Sequence, residues 1–121
     1  MMVPLTAALQ HIPPPAFLAP GAPGPFAFAD AERVRGILSR AGFDEVRLEA
    51  LDEMLTIGGG DLDRTVEFLL HIGPTAAALR EAGAEATRAV AAAVRESLVP
   101  FQTPRGVRMG SAAWIVTARR P

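Results

Sequence analysis

The stretch "FADAERVRGILSRAGFDEVRLEAL", residues 28–51, decides the fold, because it encodes a helix, a turn and a strand in succession. Asp30 is a good N-cap, and Glu32 lies in the first turn, where the helix dipole stabilises an acid. One apolar stripe follows at helical spacing, formed by Ala31, Val34, Ile37, Leu38 and Ala41. Gly42 can take the left-handed conformation that ends a helix, and Phe43 can then fold back onto the last turn.

The residues after this turn alternate as expected for a strand with one buried side. Its faces are formed by Val46, Leu48 and Ala50 on one side and by Arg47 and Glu49 on the other. The alternation slips near Asp52, which predicts a bend or bulge before the chain continues extended. A second strand is predicted in "VRMGSAAWIVTARR", residues 107–120, where Ala112 to Ala118 are almost continuously apolar. Such a strand is normally covered on both faces.

Three helices are predicted between the strands. Asp61 or Asp63 can cap the first, which runs to about Ile72. Pro74 suits the first position of a short second helix, and "EATRAVAAAVRESL", residues 85–98, is the third. The loop "VPFQTPRG", residues 99–106, carries turn signals. We therefore predict an α+β fold of about four to five helices and two strands.

The first 25 residues are predicted to form a separate region. Val3 to His11 can form a short helix, and Ile12 to Pro25 contain six prolines, which exclude a helix or an inner strand. This arm is either a connection or, through the spacing of Pro20 and Pro23, a polyproline ligand. The predicted organisation is a helix and arm over residues 1–25 and a segment of helix, strand, helical insert and strand over residues 26–121.

Composition excludes several classes of function. The 121 residues include twelve arginines, no lysine and thirteen acids, so the net charge of −1 creates no field that would attract nucleic acid or an acidic membrane. The absence of cysteine excludes disulfides and thiolate chemistry and fits a cytoplasmic protein. No apolar stretch approaches the ~20 residues of a membrane helix, and no basic residue precedes the apolar N-terminus as in a signal peptide.

The run "TIGGGDLDRT", residues 56–65, resembles a phosphate-binding turn because it joins a strand to a helix through three glycines. The dinucleotide pattern fails at its sixth position, which is Asp63 instead of glycine, and a Walker loop needs a lysine. Asp61 and Asp63 would also repel a bound phosphate. We interpret the run as an exit from the strand followed by an N-cap.

No self-sufficient catalytic or metal site is predicted. His11 and His71 are the two histidines, and neither is joined by cysteine or clustered acids as a metal site requires. His71 could act as a general base, although a partly buried packing histidine is the favoured interpretation. The large rings Phe26, Phe28, Phe68 and Trp114 are expected chiefly in the core.

Three quoted segments resemble the C-terminal part of class I S-adenosylmethionine-dependent methyltransferases. They are "PGPFAFADAERVRGILSRAGFDEVRLEAL", "DLDRTVEFLLHIGPTAAALREAG" and the closing "AAWIVTARR". The likeness covers about four-fifths of the chain, and "MMVPLTAALQHIPPP" also looks like the helix and arm that follow the family's fifth strand. The resemblance implies the C-terminal part of a Rossmann-like fold, with its sixth and seventh strands paired antiparallel.

The resemblance implies a transferase segment without its own cofactor site. The family's glycine-rich loop and ribose-binding acid lie in its N-terminal half, which has no counterpart here, so S-adenosylmethionine is not expected to bind this chain alone. The helical insert would cover the pocket of a small-molecule acceptor. The pocket positions that the resemblance carries over are Phe26, Phe28, Phe68, His71 and Ile72. We assign no catalytic, cofactor-binding or metal-binding residue, and expect the isolated segment to be inactive.

The edge of the last strand leaves an alternative function open. Without a fifth strand beside it, Ala112 to Ala118 would expose unpaired backbone groups and apolar side chains, which proteins rarely leave bare. The chain could therefore be a non-catalytic interaction module that forms a homodimer, or that pairs with a separate cofactor-binding chain through this edge. A third reading is a small enzyme of another kind that uses His71.

Overall fold

The structure is a computed structural model and describes residues 2–121. Over these residues the fold is α+β, as predicted, with five α-helices and a three-stranded antiparallel sheet. In chain order the elements are α1 (Met2–Ala8), α2 (Ala31–Arg40), β1 (Asp44–Ile57), α3 (Leu62–His71), α4 (Pro74–Leu79), α5 (Ala84–Leu98), β2 (Gln102–Thr103) and β3 (Gly106–Arg119). The strand order in the sheet is β1–β3–β2.

The chain divides into two compact units. The first, which we call the helical unit, contains the residues up to Ala16 together with Met54–Gly110. The second, which we call the arm unit, contains Phe17–Glu53 and Ser111–Pro121. This division differs from the predicted boundary after residue 25, because α1 belongs to the helical unit and residues 17–25 belong to the arm unit.

The core of the helical unit forms where α1 packs against α5 and α3 packs against α4 and α5. Val90, Val94 and Leu98, which align at helical spacing on α5, are fully buried, and so is Leu69 of α3. Each such side chain contributes roughly 1.5–3 kcal/mol by leaving water. These buried side chains hold the insert helices together.

Among residues 2–121, no helix has both the length and the apolar character needed to cross a membrane.

In the arm unit, α2 begins and ends as its sequence predicts. Asp30 Oδ1 accepts a hydrogen bond of 2.9 Å from the Glu32 N–H. At the other end Gly42 has φ +90°, and the Phe43 N–H donates to the Leu38 carbonyl over 3.0 Å. This six-to-one bond is the Schellman arrangement, in which a left-handed glycine lets the next residue fold back on the last turn.

Strands β1 and β3 run antiparallel within the arm unit. Ser111 Oγ donates a hydrogen bond to the Glu53 carbonyl over 3.0 Å, and the Arg119 guanidinium lies 3.5 Å from the Glu45 carboxylate. The start of the β3 segment therefore lies beside the end of the β1 segment, and the two strands run in opposite directions. Val46 and Leu48 are half-buried on β1, as predicted for the inner face, whereas Ala50, predicted on the same face, is exposed. The strand assignment is continuous through the predicted bend at residue 52. A left-handed backbone instead occurs at Glu45, where φ is +52°.

Two predicted segments differ from the observed elements. Helix α1 ends at Ala8, three residues before the predicted His11. The predicted loop at 99–106 contains a 3-10 turn, Val99–Phe101, and the short strand β2, in which Thr103 pairs with Gly106. Two paired residues are too few to produce an alternating pattern, so the sequence gives no signal for this strand.

Candidate functional site

The glycine turn between β1 and α3 is built as a hinge and a helix cap. Gly58 and Gly59 have φ +74° and +66°, conformations that favour glycine. Asp61 Oδ1 accepts a 2.9 Å hydrogen bond from the Arg64 N–H, so Asp61 is the N-cap of α3. The buried Thr65 hydroxyl lies 3.1 Å from the Ile57 carbonyl and 2.8 Å from the Asp61 carbonyl, which ties the helix back to the strand end. The predicted N-cap is thus confirmed.

Asp63, the other predicted cap, has a different position. It forms an ion pair of 3.0 Å with Arg95 of α5, and both side chains are largely exposed. An exposed pair of this kind contributes at most about 1 kcal/mol. Asp63 therefore connects two helices on their solvent side and leaves the helix start to Asp61.

A hollow of about 400 Å³ lies beside the glycine turn, inside the helical unit. It is lined by residues 59–62 and by the β2–β3 hairpin, residues 102–107. A helix start can bind a carboxylate or phosphate of a ligand through its free N–H groups. Here the Asp61 carboxylate takes that position and adds negative charge. The turn therefore does not fit the cofactor that the family resemblance implies, and we derive no methyl-transfer step through it.

Two of the predicted acceptor-pocket residues lie together on α3. Phe68 and His71 line an open hollow of about 390 Å³ with Arg64 and Glu67. The spacing of Arg64, Glu67 and His71 places them on one helix face, so the sequence contained a signal for Arg64 and Glu67 that the pocket prediction missed. Phe68 is half-buried and packs against the core of the helical unit. The hollow thus has an apolar wall and a charged rim.

His71 is exposed, so the expectation of a partly buried packing histidine is wrong. Its Nδ1 lies 2.8 Å from the carbonyl oxygen of Glu67, one turn earlier in α3. Because a carbonyl only accepts, Nδ1 carries the hydrogen of this bond, and in the neutral ring Nε2 is left as an acceptor. The position in the last turn of α3, beyond the helix's buried stripe, explains the exposure.

The remaining predicted pocket residues lie elsewhere. Ile72 is the C-cap of α3 and is 54% exposed, but it does not line the hollow. Phe26 is half-buried and Phe28 is 59% exposed, both in the turns that precede α2 in the arm unit. The structure therefore brings Phe68 and His71 together, while a pocket role for all five residues stays a prediction. Within residues 2–121, no group of three or more acids or histidines is placed to hold a metal ion.

Strand β3 has an open edge in the arm unit. On one side it lies beside β1, and on the other β2 reaches only as far as Gly106 and Val107. All residues from Ala112 to Ala118 are exposed, with Trp114, Ile115 and Val116 at 39%, 46% and 40%. The predicted exposure of an apolar strand edge is therefore seen among the described residues. The expected cover on both faces is only partial, since Trp114, Ile115 and Val116 keep 39–46% exposure and Trp114 Nε1 donates a 3.2 Å hydrogen bond to the Ala29 carbonyl.

These features define what the described residues can do chemically. The glycine turn caps a helix, the α3 hollow offers a ring wall beside a histidine, and the β3 edge offers backbone hydrogen-bonding groups. Comparison with protein-family models, with curated proteins and with solved structures finds no match to this chain. The resemblance to class I methyltransferases therefore rests on the quoted sequence segments and stays a prediction.

Proposed function

We propose that this chain is the C-terminal segment of a class I S-adenosylmethionine-dependent methyltransferase and supplies walls of the acceptor pocket. The observation that carries the proposal is the order of elements, in which α2 and β1 are followed by three insert helices and by β3 beside β1. This order agrees with the order of the quoted segments that resemble the family. The proposed location of the complete enzyme is the cytoplasm.

In this proposal the hollow on α3 contacts the acceptor. The Phe68 ring offers an apolar surface, and the exposed His71 offers its Nε2 as one hydrogen-bond acceptor in the neutral ring. Such groups orient a small molecule and exclude water from one side of it. Methyl transfer itself needs S-adenosylmethionine, which a separate cofactor-binding portion would hold, because the glycine turn at residues 58–60 does not fit it.

Calorimetric titration of S-adenosylmethionine into the isolated chain tests this division of labour. No heat of binding is expected, because the Asp61 carboxylate takes the anion position at the start of α3. Binding in the micromolar range would contradict the proposal that the cofactor is held elsewhere.

A fusion tests the family assignment directly. The chain would be joined to the cofactor-binding half of a class I methyltransferase that ends after its fifth strand, and amide hydrogen exchange would be measured. Protection of Ala112–Ala118 beyond that of the isolated chain is expected, since a strand added at the open edge would bond these backbone groups. A matched fusion carrying Ile115→Lys controls for unspecific contact. Unchanged exchange in a fusion that binds S-adenosylmethionine would refute the assignment.

A second candidate is a non-catalytic interaction module, and the open edge of β3 favours it specifically. Exposed apolar side chains on an unpaired strand are typical of a surface that adds another strand. For this function the helical insert serves as a scaffold, and the partner is bound through backbone hydrogen bonds along Ala112–Ala118. This candidate requires no acceptor pocket and no S-adenosylmethionine.

A further inference from the structure

The open edge of β3 carries its apolar surface in the middle. Trp114, Ile115 and Val116 are the large exposed side chains of the segment, and alanines lie at both of its ends. No charged residue occurs between Ala112 and Ala118. Unlike most edge strands, this segment therefore has no lysine or glutamate that would oppose pairing with another strand.

The three large side chains of this segment are centred on Ile115. Read outward from Ile115, the chain has Trp114 and Val116, then Ala113 and Thr117, then Ala112 and Ala118. In an antiparallel pair of two identical strands centred on Ile115, each large residue meets a large one and each small residue a small one. The central contacts would be isoleucine on isoleucine and an aromatic ring on a β-branched side chain, which are favourable cross-strand pairs.

We propose that a second copy of this chain pairs antiparallel with β3 along Ala112–Ala118, about a two-fold axis at Ile115. The inference rests on the second function proposed above and adds the partner and the register. Closed two-fold symmetry is the commonest arrangement of identical chains, because each copy uses the same surface. Pairing gives the free backbone N–H and C=O groups partners and covers the three large side chains.

Neighbouring registers are less favourable. If the axis moved two residues toward the C-terminus, to Thr117, Ile115 would face Arg119 and Trp114 would face Arg120. If it moved two residues the other way, to Ala113, Ile115 would face Ser111 and Val116 would face Gly110. Each of these shifts separates the large apolar residues. Moving the axis by one residue, to Trp114 or Val116, would place Ile115 opposite Ala113 or Thr117, so the isoleucine pair forms only with the axis at Ile115.

The size of the contact sets the expected strength. One strand pair of seven residues buries less surface than a standard stable interface, which buries about 1,600 Å². The dimer is therefore expected to form reversibly, and the fraction of chains in the dimer should rise with protein concentration. A strand from a cofactor-binding portion would compete for the same edge and dissociate it.

Single cysteines test the register, because the natural chain has none. Ile115→Cys places the two thiols directly opposite each other, within the Cα separation of about 4.4–6.8 Å that a disulfide spans. Ala113→Cys on the same strand is the matched control. In the proposed register the two copies of position 113 are offset by four residues along the strands, which is about 13 Å. Under mild oxidation, Ile115→Cys should form a covalent dimer and Ala113→Cys should stay monomeric. Equal cross-linking of both, or none at position 115, would overturn the register.

Sedimentation tests the dimer itself. The natural chain should form more dimer as its concentration rises, while Ile115→Lys should remain a monomer, because two like charges would meet at the axis. Leu51→Lys adds the same charge on β1, away from the open edge, and should leave the dimer intact. Circular dichroism of each variant checks that it is folded. A natural chain that stays monomeric at every concentration refutes the dimer, and leaves the fusion and calorimetry results on methyltransferase function unaffected.

Discussion

Replacement of Gly58 by alanine should destabilise the turn between β1 and α3 for two separate reasons. Gly58 has φ +74°, and a left-handed backbone costs an alanine roughly 1–2 kcal/mol. The added Cβ would also lie 2.8 Å from the Thr65 Cα and 3.0 Å from its hydroxyl oxygen. Since the closest atom belongs to the helix backbone, relief of the contact must move α3, and overpacking of this kind costs about 1–3 kcal/mol.

Gly59→Ala separates the two effects. Gly59 has a similar φ of +66°, but nothing lies within 4 Å of an added Cβ. Both substitutions gain about 0.4–1 kcal/mol from the lower entropy of the unfolded chain. Gly59→Ala should therefore change the free energy of unfolding by about 1 kcal/mol or less, and Gly58→Ala should cost about 1–3 kcal/mol more than that, from the contact with Thr65 alone.

Urea unfolding followed by far-ultraviolet circular dichroism measures this difference. With a slope of about 1–3 kcal/mol per molar urea, the unfolding midpoint of Gly58→Ala should lie about 1 M below that of Gly59→Ala. Equal midpoints for the two variants would refute the close approach of the glycine turn to α3. A lower urea midpoint for Gly59→Ala than for Gly58→Ala would contradict the steric argument.

Four further substitutions test other parts of the structure. Asp61→Ala should lower the free energy of unfolding by about 1 kcal/mol, because the α3 cap is lost. Asp63→Ala should lower it by less, because the ion pair of Asp63 is exposed. Urea midpoints of the two variants check this order, and the reverse order would contradict the assigned cap. Leu69→Ala should lower the free energy of unfolding by about 2–5 kcal/mol, since this side chain is fully buried. A decrease below about 1 kcal/mol in the same urea assay would place Leu69 outside the core. Trp114→Phe removes the 3.2 Å hydrogen bond from Nε1 to the Ala29 carbonyl and should lower the free energy of unfolding by about 0.5–1.5 kcal/mol. Thermal unfolding of this variant that matches the natural chain would show that the bond contributes nothing.

The candidate site was only partly predictable from the sequence. The family resemblance predicts Phe68 and His71 as pocket residues, and they line one hollow because they lie three residues apart on α3. The exposure of His71 was not foreseen, since an apolar neighbour in the sequence does not reveal which helix face meets the core. Phe26 and Phe28 lie in a different compact unit, and helical periodicity carries no information about such partitions.

The sequence by itself determined the elements whose hydrogen bonds are local. The cap at Asp30, the glycine end of α2 at Gly42 and the buried stripe of α5 depend on residues a few positions apart, so they can be read from spacing alone. Only the tertiary structure decided that β2 pairs with the start of β3 and that α1 packs on α5. These features depend on contacts between distant parts of the chain, where long-range packing and not local propensity chooses the partner.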